Sequence, residues 1–185
     1  MNAAGPFRRI ISRLDQVGIP YMLTGSFASA YHGSPRATQD IDLVIAPTLD
    51  QLRALVSSLP PSEYYVDEGA ALEALAQASQ FNVIDVQTGW KVDFMCRKAR
   101  PFSVTEFDRR IRADFDGLPL YIATAEDVIL SKLEWAKLGE SERQLEDVSR
   151  LVLVRGNDLD SAYLGHWIGV LGVAREWDRA RSMRP

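Results

Sequence analysis

The segment Thr24-Gly25-Ser26, set between the apolar stretch Tyr21-Met22-Leu23 and a second one from Ile41 to Ile45, constrains this chain more than any other feature. The pattern predicts a strand, a Gly-Ser turn, a short helix over Phe27-Ala28-Ser29-Ala30-Tyr31, a loop, and a second strand that opens with Asp40-Ile41-Asp42. Alternate residues of a strand leave the same side of its sheet. Asp40 and Asp42 therefore share one face, while Ile41, Leu43 and Ile45 are buried on the other. Two carboxylates so close repel each other unless a cation lies between them. A turn of small residues, with free N–H groups and a hydroxyl, suits a phosphate. Together these features imply a site for a metal-bound nucleoside triphosphate.

The rest of the chain reads as an α/β first part and a helical second part. Phe7, Ile10, Ile11, Leu14 and Val17 recur at helical spacing, with Gly18 placed to end the helix. Thr48 is an N-cap for a helix that must finish before Pro60-Pro61. Gly69 to Ala78 is rich in Ala and Leu and predicts another helix. Asn82 to Val86, the turn Gln87-Thr88-Gly89, and Trp90 to Met95 form a hairpin pattern. A second pairing is expected between Arg112–Phe115 and Leu118–Ile122 around Asp116-Gly117. From Ala125 onward the periodicity is helical, punctuated by Gly139, Gly156 and Gly172. The expected organisation is an α/β core over 1–123 and a helical part over 124–185 packed on it as one compact unit.

The first hairpin supplies a third acid. Alternation in Trp90-Lys91-Val92-Asp93-Phe94 sends Trp90, Val92 and Phe94 to the core and Asp93 to the opposite face. Asp85, one strand earlier, competes for the same role and ranks below it. In the helical part, Thr124 is an N-cap with Asp127 in the reciprocal position. Ile129, Leu133 and Ala136 form the buried stripe of that helix, and Lys132 lies beside it between Val128 and Trp135. Asp147 takes a similar edge on the following helix, one turn before Leu151.

Composition narrows the classes of function. The net charge of −4 excludes a general nucleic-acid binder, although Arg97-Lys98-x-Arg100 and Arg109-Arg110-x-Arg112 are local basic clusters. The arginines at 175, 179, 181 and 184 read as a solvated tail. Neither sequence-specific DNA binding nor a membrane span is expected, and no signal peptide is visible. The single Cys96 suits a reducing cytoplasm, and His32 and His166 have no zinc-ligand spacing.

Gly25-Ser26, followed by Asp40-x-Asp42 and then by a strand acid at Asp93, resembles the signature of the DNA polymerase β-like nucleotidyltransferase superfamily. The helical Lys132 and downstream Asp147 resemble its AbiEii-like, toxin-type branch. The resemblance implies an α/β (α+β) nucleotidyltransferase fold, with a mixed twisted sheet flanked by helices and a short helical C-terminal part. It implies a Mg²⁺-dependent enzyme, using two ions held by Asp40, Asp42 and Asp93. Such an enzyme moves a nucleoside monophosphate from an NTP to a hydroxyl and releases pyrophosphate. Gly25, Ser26, Arg36 and Lys132 would hold the nucleotide, and Asp147 would orient Lys132 or the acceptor. The acceptor stays open among tRNA, protein and small molecules, and a toxin would have a cognate antitoxin partner. The stretch after Val154 is shorter than the C-terminal helical region usual in toxin-type members. Two other readings are an antibiotic-modifying nucleotidyltransferase, and a non-catalytic nucleotide-binding antitoxin or regulatory module.

Overall fold

The structure is a computed structural model that describes residues 4–115 and 117–183. Asp116 of the second expected turn and Arg184 of the basic tail lie outside the described residues, as do residues 1–3 at the N-terminus.

The expected helix at the start is α1 (Ala4–Gln16), and Gly18 ends it at φ +68, where a side chain would be strained. Then follow β1 (Tyr21–Leu23), α2 (Gly25–Tyr31) and β2 (Asp40–Ile45). Helix α3 (Leu49–Ser57) opens on a full capping box, in which Thr48 and Gln51 satisfy each other's backbone N–H groups. After it come β3 (Tyr64–Val66), α4 (Glu68–Gln77), β4 (Gln80–Asp85) and β5 (Lys91–Cys96). The chain continues through α5 (Pro101–Asp108), β6 (Ile111–Phe115) and β7 (Leu118–Ile122). Four helices complete it: α6 (Ala125–Gly139), α7 (Glu142–Arg155), α8 (Ser161–Leu171) and α9 (Ala174–Ser182).

The strands form a mixed sheet in the order β3-β4-β5-β2-β1-β7-β6. Two of its pairings are parallel, β2 with β5 and β1 with β7, and the others are antiparallel. The order follows from burial. The central strands β2 and β5 bury Ile41, Leu43, Ile45, Val92 and Phe94 almost completely, and a parallel pair is stable only where such faces are covered. Phe7 of α1 closes one part of this core, with its ring 4.7 Å from Phe27 and 5.4 Å from Phe115.

Three local expectations needed correction. Strand β3 and helix α5 were not anticipated. Helix α2 begins at Gly25 rather than after the Gly-Ser pair, so these two residues form its first turn. The backbone amide of Thr24 donates to the Asp42 carbonyl at 2.9 Å, which fixes that turn beside β2.

Candidate active site

The register of the parallel pair brings the acids together. Asp42 and Asp93 are partners across β2 and β5, and Asp40 is the partner of Lys91. The side-chain period of two puts Asp40, Asp42 and Asp93 on one face of the sheet, and all three line a cleft of about 730 Å³. Helix α6 brings Val128 and Lys132 to the same cleft, and Gly25, Ser26 and Arg36 also line it.

Gly25 sits against Asp42 so closely that no other residue fits. A Cβ on it would lie 1.9 Å from Asp42 Oδ2, and its φ of +63 is one that side chains resist. The Ser26 N–H points at the same Oδ2 at 3.4 Å, a long contact. Burial is the main reason that the Asp42 carboxyl is pushed up to about 6; Asp93 and Asp40 add to it, against the Ser26 N–H and Lys132. Among the described residues Asp42 makes no ion pair. A carboxylate driven toward protonation by burial and by adjacent acids is one that a cation would stabilise.

Lys132 and Asp147 are 15 residues apart in sequence and meet across α6 and α7. Lys132 Nζ donates to Asp147 Oδ2 at 2.7 Å and to Gln144 Oε1 at 3.0 Å. Both residues of the ion pair are buried, at 3% and 1% exposure. Arg36, from the loop before β2, reaches the same Oδ2 through Nε at 3.1 Å. One carboxylate oxygen thus collects two cations, while Asp147 Oδ1 is buried with no hydrogen-bond partner. Burial lowers the Lys132 ammonium below its ordinary value, and Asp147 opposes that shift. The resemblance implies a place for Arg36 at the nucleotide. The structure gives it a buried partner 111 residues away.

Two further groups in the site were missed. Lys91 Nζ lies 2.9 Å from Asp93 Oδ2 and 3.5 Å from Asp40 Oδ1. Its position two residues before Asp93 was the available signal, because it shares that face of the strand. Glu106 of α5 also lines the cleft, accepts a hydrogen bond from Ser131 Oγ at 2.9 Å, and is pushed up to about 7 by burial above all. Asp85 is not in the cleft: it pairs with Arg9 of α1 and accepts the amides of Gln87 and Thr88 in the hairpin turn.

Among the described residues, no three His, Cys, Asp or Glu side chains are already gathered as a metal-binding group. The donor set nevertheless suits a hard cation. Asp40, Asp42 and Asp93 offer carboxylate oxygens, which Mg²⁺ prefers, and the Lys91 ammonium stands between two of them as a stand-in cation.

No protein-family model and no curated protein matches the sequence. Solved structures match across nearly the whole chain. A crystal structure of ANT(2")-Ia in complex with adenylyl-2"-tobramycin aligns at 14% identity and a TM-score of 0.57, over 95% of this chain and 97% of that one. An antigenic nucleotidyltransferase-like protein from Paracoccidioides brasiliensis aligns at 17% identity and a TM-score of 0.55, over 91% and 87%. The chain has the nucleotidyltransferase fold. The lincosamide antibiotic adenylyltransferase LnuA, bound to lincomycin, shares it at 10% identity and a TM-score of 0.55, over 80% and 95%. Likeness at this identity concerns the fold, and no helix of the described residues is long and apolar enough to cross a membrane.

Proposed function

We propose that the protein is a Mg²⁺-dependent nucleotidyltransferase that moves a nucleoside monophosphate from an NTP to a hydroxyl acceptor. The observation that carries this reading is the register of β2 on β5, which sets Asp42 beside Asp93 directly under the glycine-led first turn of α2. A solvated surface strand has no need of a bare backbone packed against a half-buried acid.

Asp40, Asp42 and Asp93 would hold Mg²⁺, and Mg²⁺ when bound neutralises the triphosphate and acidifies the attacking hydroxyl. Gly25 lets the first turn of α2 pack directly on the Asp42 carboxylate, and Ser26 offers the triphosphate a hydroxyl and an N–H. Lys132 and Arg36, both steered by Asp147, present positive charge to the same anion. The acceptor oxygen bonds to the α-phosphorus as the bond from that phosphorus to the bridging oxygen breaks, and pyrophosphate leaves. Asp93 takes the hydroxyl proton. Transfer of label from each α-³²P-NTP into RNA, protein or added small molecules tests this reading. Transfer that disappears in Asp40→Ala/Asp42→Ala supports it, and transfer that persists in that variant overturns it.

The AbiEii-like, toxin-type assignment rests on one observation, the buried Lys132–Asp147 pair. Under that reading expression arrests growth, a cognate antitoxin relieves the arrest, and the acceptor is tRNA or protein. A small-molecule acceptor draws support from the neighbours whose structures hold an adenylylated tobramycin and lincomycin. A regulatory module that binds nucleotide without turnover fits less well, because it has no need of three acids on one face. The free, buried Cys96 supports a reducing cytoplasm.

A further inference from the structure

Lys91 stands against two acids of this site, and the proposed chemistry does not use it. It enters β5 two residues before Asp93 and is the partner of Asp40 in β2, so its ammonium rises between the two acids. The distances are 2.9 Å to Asp93 Oδ2 and 3.5 Å to Asp40 Oδ1. A Mg²⁺ ion shared by these carboxylates needs contacts of about 2 Å to each. The ammonium and the ion are both cations and require the same space, so they exclude each other. Asp42 is left free of the lysine, with Gly25 rather than a side chain beside it.

We infer that Lys91 is a resident cation that competes with a divalent ion for the Asp40–Asp93 edge of the site. The inference rests on the proposed reading of the three acids as the metal-binding set. A cation reaches Asp42 without disturbing the lysine, whereas occupancy of the Asp93 side requires Lys91 to leave. The lysine can do so: its side chain is 39% exposed, and it is a flexible stem carrying a compact, strongly hydrated charge. The consequence is an order of assembly. The lysine suppresses full metal loading in the absence of a triphosphate, and the combined charge of metal and nucleotide displaces it.

The test is Mn²⁺ binding by the full chain without nucleotide, followed by the EPR signal of free Mn²⁺ at low ionic strength. Thermal melts verify that each variant is folded. Removing a cation that sits against two carboxylates changes a neighbouring ionic equilibrium by about one to three powers of ten. Lys91→Met is therefore expected to bind Mn²⁺ roughly tenfold or more tightly than wild type. Lys91→Arg should keep the wild-type affinity, and Asp93→Asn should cancel the gain of Lys91→Met. Equal Mn²⁺ affinity in wild type and Lys91→Met, with binding still lost in Asp42→Asn, overturns the competition and leaves the metal site standing. Mn²⁺ affinity unchanged in both Asp42→Asn and Asp93→Asn overturns the competition and the metal site together.

Discussion

Gly25 and Asp42 show how far the site dictates single residues. At φ +63, with Asp42 Oδ2 where its Cβ would be, Gly25→Ala meets both backbone strain and a steric clash. The substitution should cost about 1–3 kcal/mol, read as a lower denaturant midpoint, and should abolish binding of a non-hydrolysable NTP analogue. Asp42 carries the opposite balance. Its folded-state pKa of about 6 is raised from 3.8, so its contribution to stability is complete below pH 3.8 and is lost as pH rises through 6. Asp42→Asn is accordingly expected to stabilise the fold at pH 7.5, on the order of 1–2 kcal/mol, while destroying nucleotide binding. Glu106 has the same sign, raised from 4.5 to about 7. Stability should therefore decline between about pH 4.5 and 7 in the wild type, measured by chemical denaturation at each pH. In Glu106→Gln it should decline less, most clearly above about pH 6, where Asp42 is mostly ionised. Alternation along a strand made Asp40, Asp42 and Asp93 legible in the sequence. Arg36 was named for the nucleotide, but its ion pair with Asp147 and the burial of Glu106 were not legible, because both are supplied by segments distant in the chain.

At the scale of elements, α6 and α7 are held together at the cleft by charge as well as by apolar packing. Lys132 and Asp147 are buried together, flanked by Val128, Ile129, Leu133, Val148 and Leu151, all fully buried. Lys132→Met leaves Asp147 with only the Arg36 contact, and breaking a buried pair in this way costs about 3–5 kcal/mol. Lys132→Met/Asp147→Leu removes both charges and should recover most of that loss. Thermal melts of the two single variants and the double should show this non-additivity. Nucleotide binding is expected to stay weak in the double variant, which separates the structural role of the pair from its role in the site. The amphipathic spacing of α6 and its Thr124 cap placed Lys132 beside the buried stripe from sequence alone. The three residues of β3 are too few to show a period, and Tyr65 within it is exposed. Helix α5 begins on Pro101 with no acid in its first turn and spans eight residues, so it carries few of the signals that mark a helix start. The Gly-Ser pair was read as a turn because glycine favours turns. Its place as the first turn of α2 depends on the Thr24–Asp42 backbone bond, which only the assembled sheet provides.

For the whole molecule, the helices after Ala123 are tied to the sheet and to one another by specific contacts. The Ala123 amide donates to the Leu23 carbonyl, and His32 Nε2 lies 2.8 Å from the Ala123 carbonyl oxygen. Helix α8 is tied back by Tyr163 to Asp127 at 2.6 Å and by the Phe102–Trp167 ring contact at 5.2 Å. Leu164, Trp167, Ile168, Val173 and Ala180 are buried with it. Each large apolar side chain is worth about 1.5–3 kcal/mol of burial, against a total stability of about 5–15 kcal/mol for a domain. Ending the chain at Leu159 should therefore abolish cooperative folding, and the full chain should unfold in one transition by circular dichroism and tryptophan fluorescence alike. The change in hydrophobic period near residue 124 made the run of helices from Ala125 onward legible. The strand order was not, since two parallel pairings join segments that sequence adjacency would never pair.

Three carboxylates and a glycine-led helix turn are proposed to make a metal-dependent triphosphate site. Its most direct test is calorimetric titration of the wild-type protein with non-hydrolysable analogues of the four NTPs, with Mg²⁺ and with EDTA, beside Asp42→Asn. At least one analogue is expected to bind, in a manner that requires Mg²⁺ and is lost in Asp42→Asn. Binding that is indifferent to both Mg²⁺ and Asp42, or no binding of any analogue by the wild type with Mg²⁺, would contradict this proposal.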